Sequence, residues 1–252
     1  MLKFDEDAYR GNAKATYDTR PCIEKAADAA ADQGFSNIFF IAVGGSLAIL
    51  WPLREMITQI SAIPVFAENA AEIVHTGHGQ LHRDSLVITA SKSGDTKETV
   101  AAAKWCSEQG IRVVSLVGAD DAPLAEYSRW VLPNRAQNGV EFQYMQLFLF
   151  VFRLLQHRGS FPAYERFADQ LRHLPENLLT AKAQFEPEAN RIAASRHNEP
   201  YGIWVGSGEM WGEVYLFSMC VLEEMQRVKG KAVSSSEFFH GTLELVDKDM
   251  PV

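Results

Sequence analysis

Five short apolar runs, each closed by a turn and followed by a stretch of helical character, constrain this chain more than any other feature of it. Asn37-Ile-Phe-Phe-Ile-Ala-Val43 is apolar without alternation, the pattern of a strand covered on both faces, and Gly44-Gly45-Ser46 turns it into the next segment. Residues 64–68, 86–91, 112–118 and 130–133 repeat the pattern, with helices expected over 46–60, 69–76, 96–109 and 121–128. Strand and helix alternating at this rhythm predict a parallel sheet with helices on both faces. The ligand of such a sheet binds outside the carboxyl ends of its strands.

Around this unit the chain reads as follows. A lead-in helix is expected over 20–33, with Thr19 as its cap, Pro21 in its first turn and Gly34 to stop it. After a loop at 134–139, a strongly apolar helix runs from Val140 to His157, and Gly159 with Pro162 marks a break. Residues 163–195 are helical and charged. Tyr201-Gly-Ile-Trp-Val-Gly-Ser-Gly208 then reads as a new strand and turn, followed by a helix over 210–229. This echo of the first unit predicts an α/β protein of two doubly wound, flavodoxin-like parallel-sheet halves, residues 1–158 and 159–252. The second half is expected to be incomplete at its C-terminus, because Leu243 to Val252 reads as the opening of another strand.

Composition narrows the function classes. At 252 residues and 47% hydrophobic content the chain can bury a sizeable core, and a formal net charge of -8 argues against nucleic acid or an anionic membrane as partner. A local basic pocket for a small phosphate is compatible with that charge. Cys22, Cys106 and Cys220 are odd in number and form no C-x-x-C pair, so a reduced, cytoplasmic setting is expected. The most apolar run, Tyr144 to Leu155, is too short for a membrane span and is interrupted by Gln146 and Arg153, and the N-terminus has no signal-peptide core.

Two turns of the first half suit a phosphate. Gly44-Gly45-Ser46 lets backbone approach a ligand at the start of a helix, and Ser91-Lys92-Ser93-Gly94-Asp95-Thr96 offers hydroxyls and successive amides where a strand becomes a helix. The competing reading is that these serines and threonines merely cap their helices. No G-x-G-x-x-G or Walker loop occurs, so dinucleotide and nucleoside triphosphate readings are weak, and no G-x-S-x-G elbow supports a hydrolase triad. His75, His78 and His82 fall in a glycine-broken loop without acidic or cysteine neighbours at ligand spacing, and no metal is expected there.

The remaining candidates lie between residues 221 and 241. With a period of 3.6, Glu224 shares a face with Phe217, Cys220, Val221 and Val228, which would press its charge against apolar neighbours and raise its pKa toward the range useful for proton transfer. Glu223 has Arg227 four residues on as a partner for an ion pair. His240 titrates near neutrality without help. The alternative is a buried, satisfied carboxylate and a packed loop histidine.

Taken together, the Gly-Gly-Ser turn, Ser-Lys-Ser-Gly-Asp-Thr after a strand, and Glu237-Phe-Phe-His240-Gly resemble the sugar isomerase (SIS) domain family across nearly the whole chain. Within it the chain is most similar to the fructosamine-6-phosphate deglycases, and more distantly to the isomerase half of glucosamine-6-phosphate synthase. The resemblance implies a phosphate site at Gly45, Ser46, Ser91, Lys92, Ser93 and Thr96. It implies that Glu224 moves a proton between C1 and C2, that His240 reaches in from the neighbouring subunit of a homodimer to help open the sugar ring, and that Glu237 orders the site loop. It implies no metal and no other cofactor. Val221 stands where the synthase isomerase has a catalytic lysine, which agrees with the deglycases. Ser236 and Thr242 replace the family's glycine and proline, and family members continue beyond Val252 with a segment that closes over the substrate.

Overall fold

A computed structural model of the chain describes residues 4–136 and 139–248. It divides into two compact units, residues 5–175 and residues 176–248 with Phe4.

The first unit opens with two helices, α1 (Glu6–Tyr17) and α2 (Arg20–Asp32). The sequence reading lacked α1; Asp5 caps it by accepting the Ala8 N–H at 2.9 Å. Thr19 does not cap α2. Its backbone is already helical, and its hydroxyl donates back to the Thr16 carbonyl at 2.6 Å.

The βα repeat follows as expected: β1 (Asn37–Ala42), α3 (Gly44–Ala48), α4 (Trp51–Ile60), β2 (Val65–Asn69), α5 (Ala70–Thr76), β3 (Ser85–Ser91), α6 (Lys97–Glu108), β4 (Arg112–Val117), α7 (Pro123–Glu126) and β5 (Trp130–Pro133). The single helix predicted over 46–60 is two, because Pro52 in the first turn of α4 has no N–H to continue a helix through it. All pairings are parallel, in the order β2-β1-β3-β4-β5. This is the flavodoxin-like order, which reverses direction between β1 and β3. β1 and β3 are buried along their whole length, as their unbroken apolar sequences require.

One face of the sheet buries Phe39, Ile41, Val87, Val113 and Val117 under Ala102, Ala103 and Cys106 of α6 and Leu124 of α7. The apolar helix α8 (Val140–His157) runs beside α2, and α9 (Tyr164–Leu171) packs on it through Phe152, Phe161 and Phe167, whose ring centroids lie 4.7 to 5.6 Å apart. An ion-pair network binds the same three helices. Arg153 holds Asp28 at 2.6 Å and Glu165 at 2.7 Å, while Arg20 holds Glu24 and Asp169 at 2.6 Å. These contacts keep α9 with the first unit, beyond the break at Gly159.

In the second unit, α10 (Leu174–Arg196) leads to β6 (Gly202–Gly206), α11 (Trp211–Tyr215), a π-helix (Leu216–Met225), β7 (Gly230–Ser234) and α12 (Ser235–Phe238). The helix predicted over 210–229 therefore changes type midway and ends early. Arg227 stops it in the left-handed conformation, φ 58°. β7 is a strand the sequence reading did not foresee, and it pairs parallel with β6. Among the described residues of the C-terminal run, Thr242–Leu245 forms a 3₁₀ turn rather than the start of a strand. Residues 249–252 of that run lie outside the described residues.

Candidate functional site

The site of the first unit follows from the reversal in strand order. The connection from β1 runs toward β2 and that from β3 toward β4, so the carboxyl ends of these neighbouring strands open a crevice between diverging chains. Both predicted turns lie there. Gly44, at φ 55°, takes the sharp bend after β1 that a side chain would resist, and Gly45 and Ser46 form the first turn of α3, half-buried.

After β3 the loop is built around one hydroxyl. Buried Ser91 accepts the Gly94 N–H at 3.0 Å and shares a 2.9 Å hydrogen bond with Thr96. Gly94 is at φ 72°, and a β-carbon there would meet that of Ala122 at 2.3 Å. The Lys92 carbonyl accepts the Gly118 N–H at 3.0 Å, and the Gly94 carbonyl accepts the Leu124 N–H at 2.9 Å, which ties the loop to the chain after β4. Lys92 and Ser93 are exposed on the resulting rim.

The capping alternative does not hold at either turn. No side chain caps α3, and Thr96, at the N-cap of α6, makes no cap hydrogen bond because its hydroxyl is turned to Ser91. Among the described residues the first amides of α6 thus keep their donors without a side-chain cap, facing the strand edge where an anion gains most from them. Sequence reasoning missed the role of Gly94 in closing the loop beneath Ala122; its signal was the lone glycine inside a run of hydroxyls.

Of the three histidines, His75 lies in the last turn of α5 rather than in the loop, and the loop places the other two. His78 Nδ1 accepts the Gln80 N–H at 3.1 Å and its ring lies 4.9 Å from those of Phe39 and Phe66, while His82 Nδ1 accepts the Asp84 N–H at 3.3 Å.

The second unit carries the other candidates. Glu224 lies in the π-helix and is exposed, as are Glu223 and Arg227. This corrects the expectation of a carboxylate pressed among apolar side chains. In a helix bonded i to i+5, residues four apart no longer stand one above the other, so the face computed at 3.6 residues per turn does not form. The expected Glu223–Arg227 ion pair does not form either: Arg227 lies past the end of the π-helix with a left-handed backbone, φ 58°, and meets Glu223 only through its N–H, which donates to the Glu223 carbonyl at 3.0 Å. β6 and β7 are in register from Gly202 with Gly230 to Gly206 with Ser234, so their carboxyl ends lie level. From that edge Ser234 caps α12 by accepting the Glu237 N–H at 3.4 Å, and Glu237 and His240 follow, both exposed. The structure thus assembles Ser91, Lys92, Ser93 and Thr96 into one loop beside Gly45 and Ser46, and sets Glu237 and His240 on one short segment after β7.

The SIS domain model matches residues 34–156, the segment that holds this strand edge. Fructosamine deglycase FrlB of Bacillus subtilis is 30% identical over 219 residues, covering 85% of this chain and 67% of the relative. The chain belongs to the SIS domain family. The glutamine–fructose-6-phosphate aminotransferase of Xylella fastidiosa is also 30% identical, over 87% of this SIS chain, which spans only 37% of that enzyme. Among solved structures, the C-terminal domain of the glucosamine-fructose-6-phosphate aminotransferase of Francisella tularensis superposes with a TM-score of 0.83 at 19% identity, covering 97% of this chain and 73% of that one. That likeness carries the fold.

Proposed function

We propose that the protein hydrolyses a 6-phosphorylated Amadori compound, a fructosamine 6-phosphate, to a sugar 6-phosphate and a free amine. The observation that carries this reading is the loop from Ser91 to Thr96 at the reversal in strand order. Its hydroxyls and uncapped helix amides complement a phosphoryl group, and its geometry is fixed by Gly94 and Ser91 before any ligand arrives. Similarity to a relative named fructosamine deglycase supports the choice of substrate.

On this reading the phosphate is held at Ser46, Ser91, Lys92, Ser93 and Thr96, and Glu224 is the proton shuttle. Its carboxylate takes a proton from C1 while O2 gains one, giving the enaminol, and returns a proton to C2 as the nitrogen gives up its own, leaving a C2 alcohol and a C1=N imine. Water then adds to C1, the C1–N bond breaks, and the nitrogen leaves with a proton as the amine. His240, supplied by the neighbouring subunit of a cytoplasmic homodimer, assists ring opening, and Glu237 orders the segment that carries it. These residues need neither metal nor nucleotide for the sequence of steps.

The test is release of amine from a fructosamine 6-phosphate, with fructose 6-phosphate as the parallel substrate. Amine release supports the deglycase. Aldose formation from fructose 6-phosphate with no amine release would make the protein an isomerase, and binding of both without turnover a sugar-phosphate sensor. Glu224→Gln is expected to abolish turnover while leaving sugar-phosphate affinity within about twofold, since a change confined to the proton shuttle removes transition-state stabilisation and not ground-state binding.

A further inference from the structure

A second cavity opens at the same edge of the first sheet, and nothing above uses it. It holds about 300 Å³, at the small end of the range for ligand sites, and is lined by Asn12, Ala15 and Thr16 of α1, Thr19, Pro133 at the end of β5, and Arg135. Two of its lining residues are held from behind by one buried amide. Thr19 accepts from the Gln146 Nε2 group at 3.2 Å, the same amide nitrogen donates to the Pro133 carbonyl at 2.9 Å, and the fully buried Gln146 keeps an Oε1 without a partner among the described residues. Among the described residues of the lining, Arg135 is the only charged one. One of its terminal nitrogens pairs with Asp120 at 2.7 Å, which leaves its other N–H donors open among the described residues.

The register fixes the distance to the phosphate loop. Ser91 pairs with Val117 and Val117 with Pro133, so Ser91 and Pro133 stand level on the sheet, two strand spacings or about 10 Å apart. An open-chain hexose spans seven bonds from phosphorus to C1, about 8 Å when extended at the pitch of a polypeptide. A sugar running from a phosphate at Ser91 along the strand ends toward β5 therefore brings the substituent on C1 within reach of this cavity.

Resting on the deglycase reading, we infer that the cavity is the subsite for the amine portion of the substrate and that Arg135 selects an amine bearing a carboxylate, as an amino acid does. A carboxylate two or three atoms beyond the C1 nitrogen meets the guanidinium, while the side chain enters among Ala15, Thr16 and Thr19.

The test is calorimetric affinity for three non-hydrolysable compounds: hexitol 6-phosphate, its 1-carboxymethylamino derivative, and the uncharged 1-carbamoylmethylamino isostere. The wild type is expected to prefer the carboxylate over its isostere by about tenfold, the low end for a charge-assisted contact at an exposed guanidinium. Arg135→Met erases that preference without changing affinity for hexitol 6-phosphate. Ala15→Met, on an exposed helix position, fills the cavity and weakens both amino derivatives alone. Equal binding of the two derivatives, or a preference that survives Arg135→Met, overturns the subsite while hexitol 6-phosphate binding leaves the sugar-phosphate reading standing. If none of the three binds, the phosphate loop assignment falls and the subsite with it.

Discussion

At the scale of single residues, the loop after β3 depends on one buried hydroxyl and one glycine. Ser91→Ala leaves the Gly94 N–H without its acceptor in a buried position, which costs about 1–3 kcal/mol and frees Thr96 to turn. Gly94→Ala adds the penalty of the left-handed region, about 1–2 kcal/mol, to a contact with Ala122 that the backbone must relieve by moving. Both variants are expected to lower the urea midpoint and to weaken sugar-phosphate affinity, with Gly94→Ala the more severe. A Gly94→Ala protein that binds as tightly as the wild type would show that the loop does not hold the anion. Cysteine reactivity supplies an independent check on the core. Burial on the sheet-facing side of α6 pushes the Cys106 thiol up to about 12, whereas Cys22 is exposed. At pH 8 a thiol reagent is expected to modify Cys22 within minutes and Cys106 only on unfolding, as read by mass spectrometry of the labelled peptides.

Among elements, the assembly of α2, α8 and α9 rests on charge as well as on the Phe152 cluster. The Arg153 guanidinium holds Asp28 below the usual carboxylate range, with His157 adding to the effect against the opposing pull of burial. Because the folded-state value is lowered, the unfolded chain binds protons first as pH falls. The contribution of the pair is whole above the unfolded value of about 3.9 and drains as pH drops through the lower folded one. Asp28→Asn is expected to be less stable than the wild type at pH 7, modestly because the carboxylate is partly solvated, with the gap narrowing as pH falls below the unfolded value. A gap that stays constant throughout acidification would assign the loss to packing. The same elements show what was legible beforehand. β1 and β3 could be read because a strand buried on both faces is mainly apolar without alternation, as Ile38 to Ala42 and Leu86 to Ile88 are. β7 could not, since Gly230-Lys-Ala-Val-Ser234 buries only Val233 and carries no run. α1 turns Tyr9, Ala13 and Thr16 inward, a correct helical spacing made of residues too small or polar to stand out. The turn from Ser91 to Thr96 was legible because a glycine and hydroxyls after an apolar run mark a strand giving way to a helix. The surroundings of Glu224 were not, because they depend on a switch from i+4 to i+5 bonding that hydrophobic period does not encode.

For the whole molecule, the two units differ in how well each supplies its own core. The first has a five-stranded sheet with one face sealed by α6 and α7, and α2, α8 and α9 bound to one another by aromatic and ionic contacts. The second has two strands and a small cluster of Ile203, Val233 and Phe238. Among the described residues, Ile60 is the only strongly exposed large apolar side chain of the first unit, while Phe185, Met210, Phe217, Met225, Phe239 and Leu245 are all exposed in the second. An isolated two-stranded sheet is marginal in water, and a cluster of three buried side chains cannot offset the entropy of ordering over seventy residues at about 1–2 kcal/mol each. The second unit therefore has too small a core of its own to fold cooperatively in isolation. Residues 5–175 expressed alone are expected to melt in one sharp transition with full near-ultraviolet dichroism. Residues 176–252 alone are expected to show helical far-ultraviolet signal from α10 but no cooperative melt. A sharp independent transition in the shorter fragment would mean that its exposed apolar residues repack among themselves, and that its own core suffices.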